Sequence, residues 1–177
     1  NVISEKGKEV KEEEKKKISA KISLAALKYY LLNFSSIKDI LFIPEKSISF
    51  DGNTGPYLQY TTARLNSLML KSKGKEIKIE EDFIKEHELN DDEINLILQV
   101  FEYENALARA QEFLSPLEIC NVLYNIARQY NKFYHDNPVL KAGNQDLVNI
   151  RLILSKGVHI LLKNGLYLLG IEALEKM

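Results

Sequence analysis

The apolar residues of this chain recur at helical spacing nearly throughout. They lie three, four or seven residues apart, and no long alternation of apolar and polar residues bounded by turns occurs. Because a half-buried strand requires that alternation, the sequence predicts an all-α fold. The 177 residues are 45% hydrophobic and 28% charged, which is typical of one globular domain.

The first seventeen residues differ from the rest, because they contain six Lys and five Glu in a low-complexity run. Such a run forms a solvated helix or stays disordered, and a frayed chain end is the simpler interpretation. We therefore divide the chain into a charged segment, 1–17, and an all-α domain, 18–177.

Several helices can be placed from periodicity and capping signals. The first is predicted to end near Asn33. Its packing face consists of Ile18, Ile22, Ala25, Tyr29 and Leu32. A second helix is expected from Pro56 to about Lys71, with an apolar stripe formed by Leu58, Leu65, Leu68 and Met69.

The second half of the chain carries further helix boundaries. Asn90 and Glu93 have the spacing of a capping box, Ser115-Pro116 starts another helix, and Asn164-Gly165 is expected to end the last long one. Residues 71–90 are predicted to be a charged linker with a short docked segment. Its apolar residues are Ile77, Ile79, Phe83 and Ile84.

Several classes of function lack support in the sequence. Cys120 is the only cysteine and the three histidines lie far apart, so we expect no disulfide and no metal site. No apolar run approaches the roughly 18 residues of a membrane span, and we expect a cytoplasmic protein. No carboxylate pair and no Ser or Cys with a His partner has a catalytic spacing. The formal net charge of −1 means that any nucleic-acid contact must come from a local patch.

The flank of the second helix carries Tyr57, Tyr60 and Arg64 beside the apolar stripe. Such rings and guanidinium planes stack on unpaired bases, but the tyrosines could equally complete the core with their hydroxyls in solvent. The turn before this helix, residues 51–56, could likewise hold a phosphate on its backbone N–H groups or serve only as a helix entry.

Three stretches carry a resemblance to a known family. Residues 50–67, from Phe50 to Ser67, resemble the signature of the C-terminal domain of arginyl-tRNA synthetases, which are class I aminoacyl-tRNA synthetases. Residues 158–177 resemble that family's terminal segment, which implies that Met177 is the native C-terminus. Ala25-Ala26-Leu27-Lys28 occupies the place of the family's Asp-Ala-Leu-Arg signature and departs from it at both ends.

The resemblance implies the helical bundle of a class I synthetase anticodon-binding domain. The family's His-x-Gly-His-type and Lys-Met-Ser-Lys-type catalytic motifs do not occur in the chain. We therefore expect a fragment that is non-catalytic alone and holds no cofactor, with ATP and Mg²⁺ bound by the parent enzyme's missing catalytic domain. Its expected partners are the anticodon loop of arginine tRNA and that catalytic domain, and we expect a monomer.

The resemblance also implies which residues contact the tRNA. Those expected at the anticodon are Tyr57, Gln59, Tyr60, Arg64, Asn131, Tyr134 and Met177. Independently of the resemblance, the basic residues Arg128, Lys132, Lys141 and Arg151 are expected either to contact phosphates or to form only a solvated face. Phe133 and Cys120 are expected in the core. Two alternatives stay open: a helical protein-interaction module, and the anticodon domain of another class I synthetase.

Overall fold

The computed structural model describes residues 12–72 and 88–177, and each regular element in these two ranges is a helix. This confirms the predicted all-α fold. The helices are α1 (Glu12–Leu32), α2 (Pro44–Ser47), α3 (Gly55–Lys71), α4 (Asp91–Glu112), α5 (Pro116–Asp136) and α6 (Gln145–Leu168). None of them combines the length and apolar character that crossing a membrane requires. Most of the predicted linker, including its four apolar residues, lies outside the described ranges.

Helix α1 packs on the face that its periodicity predicts. Ala25 and Tyr29 are buried, and Ile18, Ile22 and Leu32 are partly buried. The helix also includes residues 12–17, which belong to the charged segment, while residues 1–11 lie outside the described ranges. The Tyr29 hydroxyl lies 2.9 Å from the Cys120 carbonyl oxygen in α5, so this side chain ties α1 to the centre of the bundle.

Helix α3 begins in direct backbone contact with α1. Thr54 caps the helix, because its hydroxyl oxygen accepts a hydrogen bond from the Tyr57 N–H at 3.2 Å. Gly55 and Pro56 follow and are both buried. A Cβ atom on Gly55 would lie 2.5 Å from the Ala25 carbonyl oxygen, so glycine is what lets the two helices approach. The end of the turn therefore forms a helix entry packed against α1, and whether its exposed start holds a phosphate stays a prediction.

Helices α4 and α5 form an antiparallel pair joined by three residues. The predicted capping box is confirmed: the Asn90 amide oxygen accepts from the Glu93 N–H at 2.9 Å, and the Glu93 carboxylate accepts from the Asn90 N–H at 3.1 Å. Helix α5 starts at Pro116, as predicted. The Asn90 amide also donates to the Asn137 amide oxygen at 2.9 Å, so the start of α4 meets the end of α5.

The predicted end of the last helix is wrong by one turn. Gly165 lies inside α6, buried against the Leu123 side chain of α5, and the helix continues to Leu168. Gly170 supplies the stop, since its φ of +66° is a left-handed conformation that favours glycine. The Ile171 N–H then donates to the Leu166 carbonyl at 2.8 Å, which completes a Schellman motif.

One hydrophobic core joins the helices. Phe133 and Cys120 are fully buried, which confirms their predicted place in the core. The other largest buried apolar side chains are Tyr29, Tyr130, Leu58, Leu65, Leu96, Leu123, Ile126, Leu152, Leu162 and Leu166. Because α3 contributes to this core along its whole length, its opposite flank is held at a fixed orientation on the surface.

The close approach of α1 and α3 can be tested with Gly55→Ala. The added methyl group would overlap the Ala25 carbonyl, so we expect the free energy of unfolding to fall by about 1–3 kcal/mol. Urea unfolding followed by circular dichroism measures this change. Gly157→Ala is the matched control, since a Cβ there meets no atom within 4 Å and should raise stability by up to about 1 kcal/mol. A neutral Gly55→Ala would contradict the close packing.

Candidate nucleic-acid interface

One flank of α3 lines a groove of about 690 Å³. Tyr60, Arg64, Ser67 and Lys71 form this wall at helical spacing, so they share one face. The opposite wall comes from the loop after α5 and from the end of the chain. Its members are Pro138, Val139, Leu140, Lys141, Lys176 and Met177, and Tyr134 also lines the groove. The groove therefore brings together four of the seven predicted anticodon residues, namely Tyr60, Arg64, Tyr134 and Met177.

Asn131 of α5 organises the α3 side of this surface. Its amide nitrogen donates to the Tyr57 hydroxyl at 2.9 Å and to the Thr61 hydroxyl at 3.0 Å. Its amide oxygen accepts from an Arg64 guanidinium nitrogen at 3.3 Å. Because both amide protons and one acceptor position are used, Asn131 fixes three side chains of α3 relative to α5. Asn131 thus lies beneath the groove and supports its lining.

Arg64 lies over an aromatic ring inside the groove. Its guanidinium carbon is 4.6 Å from the centre of the Tyr134 ring and 6.0 Å from that of Tyr60. The first distance is well within the range of a cation–π contact. Tyr60 itself is 42% exposed, so its ring is available to a ligand. The groove therefore presents a flat aromatic and guanidinium surface to solvent.

Tyr57 lies at the boundary between this surface and the core. It is partly buried, and burial raises the pKa of its hydroxyl above the usual value. Its ring centre is 5.9 Å from that of Tyr124 in α5, and the Arg128 guanidinium lies 6.0 Å from the Tyr124 ring. Tyr57 and the exposed Arg128 thus border the groove without lining it.

The structure overturns the prediction that Gln59 contacts tRNA. This side chain is fully buried, and its amide nitrogen donates to the Glu172 carbonyl at 2.8 Å. It lies one residue before Tyr60 on α3 and so points about 100° away from it. Gln59 therefore holds the C-terminal segment against α3 and has no surface to offer a ligand.

The structure also overturns the prediction that Arg151 contacts phosphate. Arg151 is 8% exposed and pairs with the fully buried Glu93 carboxylate at 2.9 Å. It donates further to the Pro138 carbonyl at 2.9 Å and to the Asn137 amide oxygen at 3.3 Å. A buried guanidinium with these partners cannot reach a phosphate. Its contact with Pro138 instead fixes the loop that forms one groove wall.

The two predicted lysines have different surroundings. Lys132 is exposed but forms ion pairs with Asp92 and Asp136, and its hydrogen bond to Asp92 lowers the pKa of that carboxyl. Lys141 is exposed and lines the groove. Because the two carboxylates already offset the charge of Lys132, Lys141 is the better placed of the two for a phosphate.

Sequence reasoning missed Tyr124, Lys71 and Lys176. Tyr124 lies seven residues before Asn131, and Lys71 seven residues after Arg64, so both share a helix face with a predicted residue. Extending each predicted face by two turns would have found them. Lys176 lies in the non-helical C-terminal segment, where no periodicity places a side chain.

Comparisons with known proteins show what the chain is similar to. Residues 58–177 match the family described as the DALR anticodon binding domain. An arginine–tRNA ligase of Parabacteroides distasonis is 37% identical over 169 residues, which cover 96% of this chain and 28% of that protein. One from Porphyromonas gingivalis strain W83 is 37% identical over 178 residues, with coverages of 99% and 30%.

Solved structures show the same correspondence. The arginyl-tRNA synthetase of Thermus thermophilus matches with a TM-score of 0.87 and 28% identity, over 99% of this chain and 30% of that one. That of Plasmodium falciparum matches with a TM-score of 0.77 and 25% identity, over 91% and 28%. The chain thus spans less than a third of the length of each of these four proteins.

The structural role of Arg151 can be tested with Arg151→Met. Removing one partner leaves the Glu93 carboxylate buried without this cation, so we expect the free energy of unfolding to fall by about 3–5 kcal/mol. Arg128→Met is the control, because an exposed arginine should change stability by less than about 0.5 kcal/mol. Thermal and urea unfolding measure both variants. An Arg151→Met protein as stable as the wild type would contradict the buried ion pair.

Proposed function

The chain belongs to the DALR anticodon-binding domain family, and from this premise we propose that its groove binds the anticodon loop of an arginine tRNA. Within the parent enzyme, an arginine–tRNA ligase, the domain holds the tRNA while another domain attaches arginine to it. The similarity to arginine–tRNA ligases over 96 to 99% of the chain supports this assignment over another class I synthetase.

The proposal rests on one observation: in the groove, the Arg64 guanidinium lies over the Tyr134 ring, next to the exposed ring of Tyr60. Anticodon loops are single-stranded RNA, whose bases can leave the stack and lie on aromatic rings or guanidinium planes. A guanidinium 4.6 Å from one ring and an exposed second ring provide both kinds of plane in one groove. Each stacked base contributes about 1–3 kcal/mol to binding in proteins of this kind.

The charges around the groove support an RNA ligand. Four basic side chains line it: Arg64, Lys71, Lys141 and Lys176. Within residues 12–72 and 88–177, no acidic side chain lines it. The chain as a whole has a formal net charge of −1, so this basic patch is a local feature that can attract the phosphates of a loop.

We further propose that the parent's own catalytic domain is the second partner. Three leucines of α1 form an apolar stripe at helical spacing and are 41 to 52% exposed: Leu24, Leu27 and Leu31. Such a stripe suits an interdomain contact, and more than two thirds of each relative's length lies outside the matched region. The proposal places ATP, Mg²⁺ and the ligation chemistry in that domain, within a cytoplasmic and monomeric enzyme.

Anticodon reading can be tested by fluorescence anisotropy with two RNAs. One is the arginine tRNA and the other is the same tRNA with its central anticodon base changed, each titrated at two salt concentrations. We expect tighter binding of the unchanged tRNA. We also expect the logarithm of the association constant to fall with the logarithm of the salt concentration, with a slope of about −0.7 for each phosphate contacted. Equal binding of both RNAs, or no binding, would contradict the proposal and favour a helical protein-interaction module.

The role of the groove can be tested in the same assay with Tyr60→Ala. Loss of one stacking plane should weaken binding of arginine tRNA by about 1–3 kcal/mol, or roughly 5- to 150-fold, without loss of helicity. Tyr167→Ala is the matched control, because Tyr167 is 81% exposed on α6 and does not line the groove. Equal affinities of the two variants would place the RNA elsewhere on the domain.

A further inference from the structure

The last seven residues are non-helical, and two of them contribute to the lining of the groove. Helix α6 ends at Leu168, and residues 171–177 then run beside α3 until Lys176 and Met177 line the groove. The side chains of Ile171 and Leu174 are buried, at 3% and 5% exposure. These anchors hold the segment on the bundle, but Lys176 and Met177 lie beyond them.

Two side chains of α3 bind the backbone of this segment, at positions three residues apart in the segment. Gln59 donates to the Glu172 carbonyl at 2.8 Å, and Asn66 donates to the Glu175 carbonyl at 3.0 Å. Seven residues of α-helix rise about 10.5 Å, and three residues of extended chain span about 10 Å. The two intervals agree, so the two amides can hold two backbone carbonyls of a segment that runs along α3.

Helix α1 fixes the start of the same segment. The Lys28 ammonium donates to the Gly170 carbonyl, and Lys21 forms an ion pair with the Glu172 carboxylate. Lys28 lies within the stretch that departs from the Asp-Ala-Leu-Arg signature, and its retained positive charge serves this contact. With the segment fixed at Gly170 and Glu172, Asn66 makes the last backbone contact before the groove wall.

From this arrangement we propose that Asn66 is a positioning residue that sets the register of the C-terminal segment on α3. By holding the Glu175 carbonyl, it keeps Lys176 and Met177 in the groove wall opposite Tyr60 and Arg64. Asn66 does not line the groove and acts only through the segment. The consequence for RNA binding rests on the function proposed above, whereas the register itself does not.

The register can be measured without RNA, because the chain contains two methionines. With ¹³C-labelled methionine methyl groups, Met177 reports on the segment and Met69 on α3. In Asn66→Ala we expect the Met177 signal to narrow and to move toward its position in an unfolded chain, while the Met69 signal shows that α3 stays intact. A Met177 signal that is unchanged in Asn66→Ala would overturn the proposal.

Coupling to RNA binding is tested by combining Asn66→Ala with removal of residues 175–177. In the full chain, Asn66→Ala should weaken binding of arginine tRNA about three- to tenfold, as expected for one hydrogen bond. In the shortened chain the same substitution should have no further effect, because its acceptor is gone. An equal loss in both backgrounds would show that Asn66 does not act through the segment.

The matched control is Asn105→Ala on α4. Its amide donates to the Glu102 carboxylate, and among the described residues it is not one that lines the groove. Asn105→Ala should change neither the Met69 nor the Met177 methyl signal, and it should leave the affinity for arginine tRNA unchanged. If the wild-type chain fails to discriminate between anticodons, the proposed function fails, and the methyl signals still decide whether Asn66 sets the register.

Discussion

The position of Arg64 in the groove depends on one side-chain amide. Asn131 uses both of its amide protons on hydroxyl groups of α3 and its oxygen on the Arg64 guanidinium. Without this bridge, the arginine would be free to sample many rotamers in solvent, at a cost in entropy whenever a ligand orders it. With it, Arg64 stays over the Tyr134 ring before any ligand arrives. The stacking plane is therefore a property of the α3–α5 contact rather than of either helix alone.

That contact in turn requires α3 to have a fixed rotation about its own axis. The buried stripe of α3 supplies part of the restraint, and the approach to α1 at Gly55 supplies the rest. Because Gly55 touches the α1 backbone directly, α3 cannot rotate or slide there without a clash. Tyr29, which reaches the Cys120 carbonyl of α5, then holds α1 on the other helix that contributes to the groove. Packing far from the groove thus determines where its side chains point.

The sequence predicted the helices and the partly exposed flank of α3 well, because both depend on local spacing. The face of α1, the capping box at Asn90 and the flank of α3 follow from a period of 3.6 residues and from capping chemistry. The misplaced residues, Gln59 and Arg151, depend on partners that are 113 and 58 residues away in sequence. No local pattern shows that a glutamine meets a carbonyl of the chain end, or that an arginine is matched by a buried carboxylate. Spacing alone therefore treats both as surface groups.

Each wall of the groove is fixed by a different polar contact. Arg64 is held by Asn131, the loop at Pro138 by Arg151, and the C-terminal segment by Asn66. Two of these walls are non-helical, and such segments would ordinarily lose entropy when a ligand orders them. Because the backbones of these two segments are already bound to side chains of α3 and α6, they lose less conformational entropy when a ligand binds. Arg151 is buried and cannot contact a phosphate. By holding the loop at Pro138, it nevertheless contributes to the groove that the proposal assigns to RNA.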